Sequence, residues 1–442
     1  MSLGRSVLRF SPAVLLALLV GASLPAYAQN SLNYGTAYSR LGLGERLSFS
    51  SSQAEMMGGA SAAVRSYTYS GLENPALWSD LGVTRFSVAA QIEGVESENA
   101  AGDQAQLGSG SLAALQFGVP LLNNRLGLSL AFRPFTRVNY LAVRDSSVTD
   151  PDFPDEPLPY TVSFEGEGGL QQARLGLGYR LSSALSVGAS VDVLFGTIDY
   201  LQRTEFESAA IGETRTAVST QLAGVSGTVG ALFSTTGLLG EEDALSLGAS
   251  LALPTRLHGE RVRTLGFSLD QDTLSAPVSG DVTVPLQLVA GFSYVPDTRW
   301  TLAADVRYEP WSQFESDFAF GGVDPAAGQT QLRDRLRVGG GFQFVPAGAD
   351  RSRAYFARTA YRLGGYYDRT YFDALDVDED ITTLALTGGL SLPAVLPGAR
   401  FDLGVEVGTR GTTDGGLVRD LFIKGSATIN FGERWFRERR LG

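Results

Sequence analysis

The chain contains no cysteine and a single histidine, His258, among its 442 residues. The absence of cysteine excludes disulfide bonds and thiolate metal sites. His258 is not accompanied by a Gly-x-Ser-x-Gly elbow, and neither a His-Glu-x-x-His motif nor a phosphate-binding loop occurs. Because a hydrolase needs a nucleophile, a base and an orienting group, we expect no enzymatic activity. We also expect no cofactor and no metal site.

Long hydrophobic runs are lacking after the N-terminal region. Arg5 and Arg9 precede the apolar run at 14–20, and Ala26-Tyr27-Ala28 has the small-x-small form of a cleavage site. This pattern predicts a signal peptide over residues 1–28, so the protein is exported. No later run reaches the ~18 apolar residues of a membrane-spanning helix, which excludes a helical membrane protein.

Positive charge is in the minority. The 35 Lys and Arg residues are outnumbered by 47 Asp and Glu residues, and the formal net charge is -12. A nucleic-acid partner favours a basic face. We therefore expect no nucleic-acid partner.

The dominant feature that is present is a period of two. In the stretch 185–197, apolar residues at odd positions from Leu185 to Phe195 alternate with small or charged residues such as Ser186, Gly188 and Asp192. Successive side chains of a strand point to opposite faces. These segments run to about 10–14 residues, longer than the usual globular strand and matched to a tilted membrane strand.

About fourteen such segments follow residue 83, and an even number is what a closed bacterial barrel needs. Their connections alternate between short turns and longer polar stretches, as periplasmic turns and extracellular loops do. The sequence therefore predicts an all-β protein with a transmembrane antiparallel β-barrel over residues 83–442 and both termini in the periplasm. The predicted segments are 83–95, 110–119, 125–138, 168–181, 185–199, 217–233, 244–254, 283–295, 299–311, 331–346, 353–366, 381–392, 399–411 and 419–432.

Residues 29–82, ahead of the barrel, are too rich in glycine and too irregular to be strands. They contain the pair Gly58–Gly59 and the tripeptide Asn74-Pro75-Ala76. Wide barrels can be closed by an internal segment. We interpret residues 29–82 as a plug lodged in the lumen.

With Asn74-Pro75-Ala76 ahead of about fourteen amphipathic strands, the chain resembles the FadL-type family of outer-membrane transporters for hydrophobic compounds, whose hatch carries a matching motif. The stretches 38–44 and 57–60, and Gly408–Thr412 with Arg434–Phe436, are similar to a less characterised FadL-related group. The resemblance implies an outer-membrane channel for passive uptake of compounds such as long-chain fatty acids, gated by the plug. Its partners would be outer-membrane lipid, lipopolysaccharide and a small hydrophobic ligand.

The resemblance leaves two other functions open. FadL-related barrels include scaffold or shuttle components of protein secretion, in which case a secretion-machinery protein would be the partner. A general solute porin with a charged constriction is the second alternative.

The family resemblance also implies a lateral exit, made by a kink in the third strand. Pro134 falls within the third predicted strand, and proline lacks the N–H that a central strand needs. Pro134 is therefore the candidate for a lateral opening. The alternative is that Pro134 marks the solvent-exposed end of this strand.

Candidate ligand contacts come from the wall and from the plug. Arg333, Arg335 and Arg337 form the densest group of predicted inward charges, and a guanidinium fork suits a ligand carboxylate. Charges of both signs inside a barrel also pair with each other and with a plug. Apolar plug residues that would line an inner site, or anchor the plug, are Leu41, Leu43, Met56 and Met57.

Overall fold

The polypeptide wraps into a closed antiparallel β-barrel of fourteen strands, which confirms the predicted fold class. The computed structural model describes residues 34–66, 69–150, 153–208, 211–238, 240–267, 270–273, 276–326, 329–330, 332–373, 380–394 and 399–433. The predicted signal peptide and Arg434–Phe436 lie outside these residues. The barrel strands are β1 Thr84–Asn99, β2 Gln104–Leu122, β3 Leu126–Pro134 and Tyr140–Asp150, β4 Phe153–Arg180, β5 Leu185–Phe206, β6 Thr214–Thr236, β7 Ala244–Ala252 and Thr255–Phe267, β8 Val278–Val284 and Gln287–Val295, β9 Trp300–Glu309, β10 Arg335–Phe344, β11 Ala360–Asp373, β12 Asp380–Pro393, β13 Arg400–Arg410 and β14 Val418–Glu433.

The first and last strands close the barrel. Their antiparallel register runs from Thr84 opposite Glu433 to Asn99 opposite Val418. We call the end at which β1 begins and β14 finishes the terminal end, and the other the opposite end. No helix among the described residues is long and apolar enough to cross a membrane.

The outer face of the barrel carries an apolar belt. Ile92, Val225 and Leu386 are 67%, 65% and 71% exposed, and many other outward-facing leucines, valines and phenylalanines are exposed as well. A water-soluble sandwich would bury these side chains between its sheets. Left on the outside of a closed barrel, they are matched to lipid.

Several polar stretches that the sequence pattern predicts to be loops form strands in the structure. Strand β3 continues to Asp150 and β4 resumes at Phe153, while β5 continues to Phe206. Beyond the apolar belt both faces of a strand are polar, so the hydrophobic pattern fades although the backbone ladder continues. Strand β11 also lies seven residues later than predicted, because Tyr355–Arg358 forms a 3-10 turn before Ala360.

Residues 34–66 and 69–82, here called the plug, lie inside the barrel. The turn Pro75–Asp80 contacts β3, β4, β5 and β6, while the helical turn Ser52–Glu55 contacts β13 and β14 on the other side of the lumen. The plug elements are the 3-10 helix Ala37–Arg40, the strand Glu45–Arg46, the α-helical turn Ser52–Glu55 and the 3-10 helix Pro75–Asp80.

A ring of wall glycines lets the plug backbone approach the strands. A Cβ atom added at any of these positions would lie closer than 3.0 Å to a plug atom. The ring accounts for part of the high glycine content, because any larger residue would push the plug away from the wall. Its members are Gly127, Gly178, Gly188, Gly230, Gly248, Gly339, Gly341, Gly364 and Gly389.

Gly188→Val tests this packing. Its Cβ would overlap the backbone of Pro75 and Ala76, so we expect a loss of about 1–3 kcal/mol in plug stability while the barrel still closes. Protease sensitivity of the plug, compared with the heat-induced gel-mobility shift of the barrel, measures both. Gly240→Ala, where no atom lies within 4 Å, is the control. A Gly188→Val plug as protected as wild type would contradict the packing argument.

Candidate functional site

The plug motif is seated against the wall near the terminal end. Asn74 is fully buried, and its side-chain amide donates to the carbonyl oxygens of Ala62 at 2.8 Å and Ala231 at 3.0 Å. Its Oδ1 accepts from the Ala76 N–H at 3.0 Å, which caps the turn that Pro75 begins. Asn74-Pro75-Ala76 thus joins two parts of the plug to β6.

Gly58 and Gly59 seat the plug on the other side of the lumen. The Gly58 N–H donates to Thr387 Oγ1 at 3.0 Å, and both glycines have positive φ. A side chain at Gly58 would meet the backbone of Gly340 and Gly365. Only glycine combines this backbone conformation with so close an approach.

A layer of buried ion pairs lies next to the plug motif, on the side of the opposite end. The plug carboxylate of Glu73 contacts Arg133 Nη1 at 2.7 Å and Arg307 Nη2 at 3.3 Å, and it accepts from Gln287 Nε2 at 2.9 Å. Burial alone would raise the pKa of Glu73, but the guanidinium groups of Arg307 and Arg133 hold it well below its ordinary value. Glu73 is therefore ionised and bound to three wall strands, β3, β8 and β9.

Glu45 makes the second plug–wall connection. It contacts Arg137 Nη2 at 2.6 Å and Arg410 Nη2 at 2.8 Å, and Arg137 also contacts Glu93 at 2.5 Å. Burial opposes ionisation of Glu45, but Arg410 and Arg137 together lower its pKa well below the usual range. The plug thereby links β3 and β13 across the lumen.

The three predicted arginines do not converge on one site. Arg335 contacts Asp368 at 2.6 Å and Glu309 at 3.3 Å inside the lumen. Arg337 lies over the Tyr366 ring at 3.6 Å, also 3.6 Å from Asp368. Arg333 precedes β10 and pairs with Asp380 at 2.9 Å, where both side chains are partly exposed. Two of the three are engaged in the lumenal ion pairs, and the third lies at the opposite end.

The four predicted apolar plug residues fall into separate layers. Met56 and Met57 are buried near the terminal end, where Met56 Sδ lies 3.6 Å from Arg362 Nη1 and Met57 packs with Ala303. Leu41 and Leu43 belong to an apolar cluster nearer the opposite end.

That apolar cluster fills the lumen from the opposite end inwards. Part of it comes from the connection between β9 and β10, here called the inward loop (described residues 310–326, 329–330 and 332–334). Trp311 of this loop stacks on Tyr371 with ring centroids 4.1 Å apart. The cluster joins the inward loop to the plug and to β3 through Trp311, Phe314, Phe318, Phe320, Tyr38, Leu41, Leu43, Phe135 and Val138.

A polar cavity of about 90 Å³ lies between the apolar cluster and the plug motif. Both the plug and the wall line it, and charged groups of both signs face it. Burial raises the pKa of one lining carboxyl, Glu55, to about 7. The lining includes Glu45, Glu55, Glu93, Ser109, Ser111, Pro134, Arg335, Arg337, Glu406, Arg410 and Lys424.

The barrel wall is interrupted beside Pro134. The β2–β3 ladder runs from Leu122 opposite Leu126 to Leu115 opposite Phe132 and goes no further. Beyond it, residues 104–114 pair with β1 alone and residues 140–150 pair with β4 alone. We call the space between these two stretches the wall gap. Pro134 ends the first segment of β3, and the following residues turn into the lumen, burying Phe135 and Val138.

The plug occupies the edge that β3 exposes at the wall gap. The plug strand Glu45–Arg46 pairs antiparallel with Thr136–Arg137. The Leu47 N–H donates to the Phe135 carbonyl at 3.1 Å, and the Gly35 N–H donates to the Asn139 carbonyl at 3.0 Å. Plug position and wall-gap geometry are therefore coupled through backbone hydrogen bonds.

Comparison with known proteins assigns the chain to a family. A protein-family model named BamG matches residues 12–442. The chain belongs to the BamG family. No curated protein matches the sequence.

Solved FadL-type barrels share the BamG-family chain's fold. The CymD monoaromatic hydrocarbon channel is 16% identical with a TM-score of 0.54, over 89% of this chain and 100% of that one. The Ralstonia pickettii toluene transporter TbuX is 17% identical with a TM-score of 0.54, over 87% and 99%. A Pseudomonas aeruginosa FadL homologue is 12% identical with a TM-score of 0.57, over 87% and 98%. The predicted resemblance to FadL-type barrels is confirmed, and the fold is that of an integral outer-membrane protein.

Sequence reasoning missed the plug acids and the inward loop. Glu45 and Glu73 stand in a segment without periodicity, and their partners are 60 to 365 residues away. The run of Trp311, Phe314, Phe318 and Phe320 in an otherwise polar connection is the signal that could have identified the loop as buried.

Glu73→Gln should loosen the plug at neutral pH. It leaves Arg133 and Arg307 buried beside a neutral group, and breaking a buried pair costs roughly 3–5 kcal/mol. The folded pKa lies below the unfolded value of about 4.3, so this stabilisation is present above that value and is lost as the pH falls through the folded pKa. Thermal unfolding with protease protection of the plug, followed against pH, measures the effect.

Asp350→Asn is the matched control, because it removes the carboxylate of an exposed pair with Arg353. Exposed pairs are worth about 0–1 kcal/mol, so little change is expected. Equal plug protection in Glu73→Gln and wild type at pH 7 would show that this pair does not hold the plug.

Proposed function

We propose that this BamG-family barrel passes small hydrophobic compounds across the outer membrane and releases them sideways through the wall gap. The observation that carries the proposal is that the apolar cluster reaches Phe135 and Val138, the residues that turn inward at the interrupted wall. The names of three similar barrels, a monoaromatic hydrocarbon channel and two toluene transporters, support this class of compound.

The route begins at the opposite end, which faces outside in this proposal, with the terminal end in the periplasm. A hydrophobic molecule gains free energy wherever apolar side chains replace water around it. It therefore follows the apolar cluster and avoids the ion-paired layer around Glu73 and Arg133. Exposed Ile92 and Leu112 stand on β1 and β2 next to the wall gap, so the exit opens on the apolar belt.

The plug acts as the gate. While Glu45–Arg46 pairs with Thr136–Arg137, the plug fills the lumen side of the wall gap. Displacement of this short strand would widen the passage without unseating Asn74, which is bound to β6 on another side. Transport of this kind is passive.

A docking role in protein secretion is the second candidate. It is favoured by the ion pairs of Glu45 and Glu73, which hold the plug to the wall as a fixed part of the structure. A general porin is disfavoured, because the polar cavity beside the plug is only about 90 Å³ and is bounded by the plug.

Ser111→Trp tests the lateral exit. Ser111 lies on the part of β2 that pairs with β1 alone and lines the cavity, so a bulky side chain there should narrow the wall gap. We expect the initial uptake of radiolabelled toluene to fall several-fold in Gram-negative cells that depend on this barrel. Amounts in the outer membrane are matched by immunoblot.

Val225→Trp, on the lipid-facing side of β6, is the control and should leave uptake unchanged. Uptake in wild-type cells no faster than in cells without the protein would refute transport. A stable protein complex after mild extraction would then support the docking role.

A further inference from the structure

Arg261 of β7 is a buried arginine without an acidic partner among the residues that the structure describes. It is 6% exposed, and its Nε donates to Thr220 Oγ1 and its Nη1 to the Ala319 carbonyl, both at 2.7 Å. Its guanidinium lies 4.8 Å from the Phe318 ring centroid and 4.9 Å from that of Phe320. Within the described part of the chain, no carboxylate lies within ion-pair distance, and Nη2 has no hydrogen-bond partner.

This arrangement differs from that of other buried lumenal arginines. Arg133 contacts Glu73, Arg174 contacts Asp192 at 2.6 Å, and Arg335 contacts Asp368. A guanidinium removed from water without an anion is costly to the folded protein. A buried charge without a partner therefore marks a candidate binding site.

A second unpartnered polar atom belongs to the same region. The hydroxyl of Tyr200 on β5 is buried and has no hydrogen-bond partner among the described residues. Its ring packs against the apolar cluster, with its centroid 6.5 Å from that of Tyr140. Tyr200 and Arg261 both lie on strands flanking β6, whose Thr220 accepts from Arg261.

We propose that Arg261, assisted by Tyr200, binds the carboxylate of an amphipathic molecule whose apolar part enters the apolar cluster. The free Nη2 is a donor to an anionic oxygen, and Phe318, Phe320, Leu222 and Leu257 supply the apolar surroundings. This inference rests on the proposed function and adds a substrate class to it: amphipathic compounds with one anionic end, besides neutral hydrocarbons.

Binding at this site requires the inward loop to move. Arg261 Nη2 is covered, and Arg261 itself is bonded to Ala319 and flanked by Phe318 and Phe320 of that loop. An arriving carboxylate competes with the Ala319 carbonyl for the guanidinium. Recognition of the head group is thereby coupled to opening of the apolar cluster.

The test measures equilibrium binding of radiolabelled decanoate and 1-decanol to the full chain in lipid nanodiscs, with empty nanodiscs subtracted. Arg261→Met should weaken decanoate binding by about tenfold or more, the effect of losing a charge-assisted hydrogen bond, and leave 1-decanol binding unchanged. Arg261→Lys should retain part of the preference for decanoate over 1-decanol. Arg256→Met, which removes an exposed arginine of the same strand, is the control.

Unchanged decanoate binding in Arg261→Met would overturn the proposal. An equal loss of both ligands would also overturn it, by showing that Arg261 only holds the inward loop. If Arg261→Met fails to form a heat-modifiable barrel, Tyr200→Phe takes its place. We expect Tyr200→Phe likewise to weaken decanoate binding and to leave 1-decanol binding unchanged. If Arg261→Met loses decanoate binding selectively but wild-type cells take up neither toluene nor decanoate through the barrel, the transport function alone is refuted. If uptake occurs but Arg261→Met shows no selective loss of decanoate binding, this site alone is refuted.

Discussion

The structure depends on how the backbone groups of β3 are satisfied beside Pro134, where this strand no longer pairs with β2. A membrane barrel satisfies its backbone groups by pairing every strand on both sides, and an open edge is strongly disfavoured in lipid. Here β3 leaves the wall at Pro134 and its edge is satisfied by the plug strand Glu45–Arg46. The irregular wall and the plug therefore stabilise each other.

Electrostatics fix how the plug is oriented. Two of its carboxylates, Glu45 and Glu73, meet arginines from β3, β9 and β13 in a layer shielded from water. Because an unpaired buried charge is costly, a shift of the plug by one residue would be penalised at several points together. We infer that these pairs specify one position of the plug more than they add to overall stability.

The barrel could be predicted from sequence because each membrane strand has an apolar face and a polar face. That signal disappears in the polar extensions such as 140–150, where both faces meet water and only the backbone ladder continues. The plug has no period at all, and its shape depends on partners such as Arg410, which lies 365 residues from Glu45. Pro134 could be identified from the sequence as an interruption of β3, because its missing N–H acts locally.

The arginine group at 333–337 shows why spacing on a strand did not identify a site. Arg335 and Arg337 share a face as expected, yet Asp368 of β11 engages both, and Arg333 lies before the strand begins. Arg261 had no sequence signal, because what distinguishes it is that no carboxylate of the described residues pairs with it. Such an absence is visible only after the chain has folded.

The glycine ring has a consequence for biogenesis. The plug backbone touches the wall so closely around the lumen that it has little room to thread into a finished cylinder. The seam between β1 and β14 joins residues more than 300 positions apart and is an expected late step in folding. We infer that the plug acts as an internal template, around which the nascent sheet curls before its two edges are sealed.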